Sequence, residues 1–132
     1  MGDIVTIAEA VTANLQDIHA ELLFAPEFEL SELETKRCIV VPNSFEQNNV
    51  SRSSVTDQYR VDIAVMQRGK NLDIKSLLKE MKALSRRFAR FSADKASCFK
   101  IENAPLYDAE LLRQNNQFTS VLTLHFKENS NV

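Results

Sequence analysis

Near the end of the chain, Gln117-Phe118-Thr119-Ser120-Val121-Leu122-Thr123-Leu124-His125-Phe126 sets Phe118, Ser120, Leu122, Leu124 and Phe126 on one side. Thr119, Val121, Thr123 and His125 fall on the other. A period of two marks a strand with one buried face, because successive side chains of an extended chain point to opposite sides. A strand cannot bury that face alone. It needs neighbouring strands to pair its backbone and a second layer to cover its apolar side.

Two helical stripes supply the cover. Ile4, Ile7, Ala8, Val11, Leu15, Ile18 and Leu22 recur at steps of three and four. They predict a helix from about residue 4 to residue 23, with Asp3 as its cap and Pro26 as its stop. Ile74, Leu77, Leu78, Met81, Leu84, Phe88 and Phe91 make a stronger stripe, capped by Asn71 or Asp73 and running to Phe91. The strands lie between and after these helices. Cys38-Ile39-Val40-Val41 is an apolar run ended by Pro42, and Tyr59–Met66 turns Tyr59, Val61, Ile63 and Val65 inward with Arg60 and Asp62 outward. Ser97–Glu102 reads as a further strand with Phe99 and Ile101 inward, and one helical turn fits Ala109–Arg113 before the final strand.

The order is α-β-β-α-β-β. It predicts an α+β fold in one domain over residues 1–132: a four-stranded, mainly antiparallel sheet packed by two helices. Between the first two strands, Asn43 to Asp57 is rich in Asn, Ser and Gln and longer than a tight hairpin needs. It reads either as a long β-hairpin arm or as a flexible loop. In both cases Phe45 and Val50 have no core to enter.

Reactive chemistry is hard to find in these residues. His19 and His125 have no ligand partner at a metal-binding step. Cys38 and Cys98 fall in strands and read as two buried thiols of a reducing compartment, with a cross-strand disulfide as the alternative. The two glycines are Gly2 and Gly69, so no phosphate-cradling loop can be written. Glu27 and Glu29 sit in an acidic connector, Glu27 to Glu34, and look solvated. The expectation is a protein with no catalytic, metal or cofactor site. An opening that carries Asp3 and no cationic start is not a signal peptide, and no stretch reaches the ~20 apolar residues of a membrane span, so a soluble cytoplasmic product is expected.

Charge points to a surface instead. Lys75, Lys79, Lys82, Arg86 and Arg90 follow helical steps of three and four, with Arg87 alongside, opposite the buried face. One reading is a solvated face; the other is a contact surface. Its complement would be the acidic connector carrying Glu29 and Glu32, and patches unable to meet in one subunit can meet between subunits, head to tail. Nucleic acid is the weaker partner, since the formal net charge is -2 and no exposed aromatics interleave with the cations.

The arrangement as a whole resembles the tail terminators and related tail-completion (minor tail) proteins of long-tailed bacteriophages and prophages. The likeness lies in layout: the helix from Ile4, the strand Cys38–Val41 ending in Pro42, the polar arm, and Tyr59–Val65. It continues with the helix Ile74–Phe91 and the segment Pro105–Leu112 before Phe118–Leu124. The resemblance implies a non-enzymatic structural protein that forms a ring, commonly a hexamer, at the end of the tail tube. It implies contacts with the tube protein and with the head–tail connector, and residence in the bacterial cytoplasm during assembly and in the virion tail afterwards. It gives the arm, with Phe45, Val50 and Arg52, the task of reaching a neighbour. Lys79, Lys82, Arg86, Arg90, Glu29 and Glu32 complete the expected contact residues. The alternative is a small cytoplasmic α+β module that binds a ligand or protein as a dimer.

Overall fold

The structure is a computed structural model and describes residues 3–25 and 36–131. The acidic connector, with Glu29 and Glu32, lies outside the described residues, as does Pro26. The elements run α1 (Ile4–Asn14), β1 (Glu21–Leu22), β2 (Lys36–Asn49), β3 (Ser54–Arg68), α2 (Ile74–Arg87), β4 (Ser92–Ala93), β5 (Ala96–Glu102), α3 (Ala109–Asn115) and β6 (Gln117–Asn131). The fold is α+β, as the order of stripes predicted, but the sheet is larger than four strands. Among the described residues six strands stand in the order β1-β2-β3-β6-β5-β4. All neighbours are antiparallel except β1, which runs parallel to β2 through Glu21↔Ile39 and Leu22↔Val40. The two added strands are two-residue edges, too short to show a period in sequence.

The helices cover one face. Ile7, Ala8, Val11 and Leu15 from the N-terminal segment and Leu77, Met81, Leu84 and Phe88 from the second helical segment close over Val40, Val61, Ile63, Val65, Phe118, Leu122, Leu124 and Phe126. Ile7, Phe88, Phe118, Leu124 and Phe126 have no exposed surface. On the opposite face a smaller cluster forms from Ile39, Val41, Ala64 and Met66, packed by Leu23 and Val121.

The first helix is shorter than its stripe. It ends at Asn14, a 3-10 turn follows over Gln16–Ile18, and His19 takes left-handed backbone angles (φ 55°). Leu15, Ile18 and Leu22 still face the core, but from a turn and a strand. Arg87 of α2 fixes that turn. Its Nε donates to Asn14 Oδ1 at 2.8 Å, its Nη1 and Nη2 donate to Asp17 at 3.0 and 2.8 Å, and Nη2 also reaches the Asn14 carbonyl.

Asp73 caps α2 by accepting from the Ser76 N–H. The helix ends at Arg87, short of Phe91. Arg90 is left-handed (φ 62°), and Phe91 N–H donates to Phe88 O in a closing turn. Phe91 nevertheless packs edge-on to Phe88 and Phe126, with centroids 5.1 and 6.3 Å away. The expected single turn at Ala109–Arg113 is a full helix, capped by Asp108 and ended by Asn116 in the left-handed region. Phe99 is the clearest correction. A bulge between Cys98 and Lys100 turns it away from the core, and it stays 46% exposed while Cys98 takes the inward place.

Candidate functional site

The arm is regular strand. β2 and β3 pair without a gap from Ser44↔Arg60 to Asn49↔Val55, after a bulge between Pro42 and Ser44. β6 pairs along β3 to Ser54↔Asn131, so three strands extend together. Residues 50–53 turn the tip, where Val50 N–H and Ser51 N–H both donate to Ser54 O. Val50 is 66% exposed and Arg52 stands exposed beside it. Phe45 is 54% exposed although its ring lies 5.3 Å from that of Tyr59.

β1 covers the outer edge of β2 at Ile39 and Val40 alone. From Asn43 to Asn49 that edge therefore carries no pairing strand among the described residues. Unpaired N–H and C=O groups on an edge are a template for another chain. The residues along it (Asn43, Ser44, Glu46, Gln47, Asn48 and Asn49) are polar and exposed.

Under the arm lies an acidic pair that sequence reasoning missed. Register places Asp57 directly opposite Glu128, and both are buried, at 6% and 4% exposure. Among the described residues, Oδ1 of Asp57 has no hydrogen-bond partner. The adjacent Tyr59 phenol is pushed up to about 12, first by burial, then by the charges of Asp57 and Glu128 and by its hydrogen bond to Glu128. The signal lay in the period-two phase of Asp57 with Tyr59, but the partner on β6 depends on register, which the sequence does not print.

The face away from the helices is polar near the arm. Asp62 accepts from Asn43 Nδ2 and from Thr123 Oγ1, each at 2.8 Å. His125, 7% exposed, stands 2.6 Å from Glu102 through Nε2. That hydrogen bond, followed by the charge of Lys100, holds the Glu102 carboxyl below the usual carboxylate range. Phe99 leans on the His125 ring at 6.1 Å, and the Lys127 ammonium sits 5.3 Å over Phe99.

A cleft of about 370 Å³ brings His19 and Cys38 together with Ile18, Glu21, Lys36, Arg37, Val65 and Glu80. Here the sequence expectation needs correcting, because His19 is on the turn after α1 and not on the helix. A histidine, a thiol and carboxylates on one cleft are the parts of a nucleophilic site. Their electrostatics oppose that use. Burial, aided by the Glu80 charge, pushes the Cys38 thiol up to about 11, the reverse of the depressed value that makes a reactive thiolate. The carboxylates are engaged elsewhere: Glu80 with Lys36 at 2.6 Å and Glu21 with Arg37 at 3.1 Å. Cys98 is likewise pushed up by burial. Both cysteines are free. β3 and β6 separate their strands, roughly 14 Å of sheet against the ~6 Å a disulfide spans.

Lys75, Lys79, Lys82, Arg86 and Arg90 all lie exposed on the solvent side of α2 and its C-terminal turn. None of them makes an ion pair among the described residues. Arg87, sequence-adjacent to them, is consumed in the bond to Asn14 and Asp17. No three His, Cys, Asp or Glu side chains among the described residues form a metal-holding group. No described helix is long and apolar enough to cross a membrane.

No family model and no curated protein matches the chain. What the surface can do rests on its own geometry.

Proposed function

We propose that this protein is a structural component of a phage or prophage tail, a ring-forming terminator or tail-completion protein. The ring would be a hexamer that caps the tail tube and presents a face to the head–tail connector. The observation that carries the reading is the three-stranded arm with its open β2 edge from Asn43 to Asn49 and its exposed Phe45 and Val50. An open edge at one side of a sheet offers a neighbouring chain main-chain hydrogen bonds. Apolar side chains beside it add contact area, and a head-to-tail contact of this kind closes into a ring when its rotation allows. The cations Lys75, Lys79, Lys82 and Arg86 of α2, without an ion pair among the described residues, supply a second contact surface. Such a ring stops tube growth by occupying the last position without offering the next docking face, and it needs no reaction centre.

The alternative, a ligand-binding module that works as a dimer, is favoured by one observation, the cleft at His19 and Cys38. A two-fold contact and a ligand held in that cleft would distinguish it. The test of the tail reading is deletion of the gene from the prophage that carries it, followed by electron microscopy of the induced lysate. Tubes of uncontrolled length without attached heads are expected. Tails of normal length joined to heads would overturn the reading.

A further inference from the structure

α2 has two flanks beside its buried face, and they are used differently. On one flank Glu80 binds Lys36 and Arg87 binds Asp17, so that side is closed onto β2 and the turn after α1. On the other flank Leu78, Met81, Lys82 and Ser85, at steps of three and four, form one wall of a groove of about 250 Å³. Leu122 lies in its floor, and Asn103 and Leu106 form the facing wall. Leu106 is 54% exposed. The rim above the α2 wall is the row Lys75, Lys79, Lys82 and Arg86, exposed and without an ion pair among the described residues.

An apolar groove with cations along one bank fits an extended or helical segment that alternates apolar side chains with carboxylates. This chain contains such a segment. Residues 27–34 read Glu-Phe-Glu-Leu-Ser-Glu-Leu-Glu: Phe28, Leu30 and Leu33 set among Glu27, Glu29, Glu32 and Glu34. We infer that the α2 groove receives residues 27–34 of a second copy of this chain, with the three apolar side chains in the groove and the carboxylates against Lys75, Lys79, Lys82 and Arg86.

The second copy is favoured by where the chain re-enters the fold. Lys36, two residues after Glu34, is tied to Glu80 on the flank away from the groove. The groove opens on the opposite flank of α2, at Leu78, Lys82 and Ser85. A neighbour's segment is not tied to the Lys36–Glu80 flank. The contact is heterologous, with groove and segment on different surfaces, as a ring requires. This inference rests on the self-assembly reading above and names one of its contacts.

The test uses the full chain at a concentration where it is monomeric and a fluorescently labelled peptide of residues 26–35, followed by anisotropy. Saturable binding is expected, weakened about tenfold or more by the double variant K79E/K82E and restored to that variant by a peptide carrying Lys at positions 29 and 32. These substitutions are on exposed side chains, and circular dichroism checks that the fold is kept. No binding, or binding unchanged by the charge reversal, overturns the inference. Binding only to a full-length E29K/E32K variant would show the groove filled by its own segment, and also overturns it. Peptide binding by a protein that never self-associates would leave the groove assignment standing while removing the ring. A ring whose subunits ignore the peptide would do the reverse.

Discussion

Asp57 is the residue whose surroundings least suit it. It is buried, its Oδ1 lacks a partner among the described residues, and Glu128 faces it from the next strand. Like charges directly opposite in a sheet destabilise it, so Asp57→Asn is expected to raise stability by roughly 0.5–1 kcal/mol. Thermal unfolding of the two proteins, compared at neutral pH, reads this directly; an unchanged or lower Tm would contradict it. Cys38 is opposite in character, a thiol kept neutral by burial with its pKa pushed up to about 11. Alkylation at pH 8 should therefore be much slower for Cys38 in the folded protein than in denaturant. Because its folded pKa is raised, the contribution of the neutral thiol is full below its ordinary pKa and lost as pH climbs through about 11. At this scale the sequence was half legible. The phase of Tyr59, Val61, Ile63 and Val65 could be read from their spacing. Asp57 with Glu128 and His125 with Glu102 could not, because each pair exists only once the register of two distant strands is set.

Among the elements, α2 was written out most fully, since one apolar stripe meets one cap at Asp73. α1 stops short of its stripe: Leu15, Ile18 and Leu22 keep the helical spacing but reach the core from a 3-10 turn and a strand. The decision between those outcomes is made by a side chain from elsewhere. Arg87 lies 70 positions from Asp17 and binds it together with Asn14. Replacing Arg87 by Ala should cost about 1 kcal/mol and loosen the turn, with faster amide exchange at residues 15–20 than in α1. Phe88 anchors the end of α2 with no exposed surface, so Phe88→Ala should cost about 3–5 kcal/mol, and a loss under 1 kcal/mol would mean its packing is not as described. The acid limb of stability belongs to this scale too. Asp3 is held below its ordinary range by the Thr6 N–H it caps, Asp17 by Arg87, and Glu102 by His125. Depressed carboxylates stabilise the fold above their ordinary range, and that support is lost as pH falls through the lowered values. Denaturant midpoints should therefore fall below about pH 4.

Across the whole molecule, the helix-covered sheet was legible from the order of stripes, and its size was not. Two-residue strands such as β1 and β4 carry no period, and the sheet order β2-β3-β6-β5 is a choice of partners that local patterns do not make. The arm was legible as a long polar connection; its extension as a third strand by β6 was not. That arm, its open edge and the cations of α2, which make no ion pair among the described residues, are the surfaces the proposed assembly would use. Mass by light scattering after size exclusion, across protein concentrations at low and high salt, tests this most directly. A ring-forming protein should rise from one 15.0 kDa chain to a closed ring, weakened by salt and abolished by Phe45→Glu in the arm. A single chain at every concentration, or a dimer indifferent to dilution and salt, would contradict it.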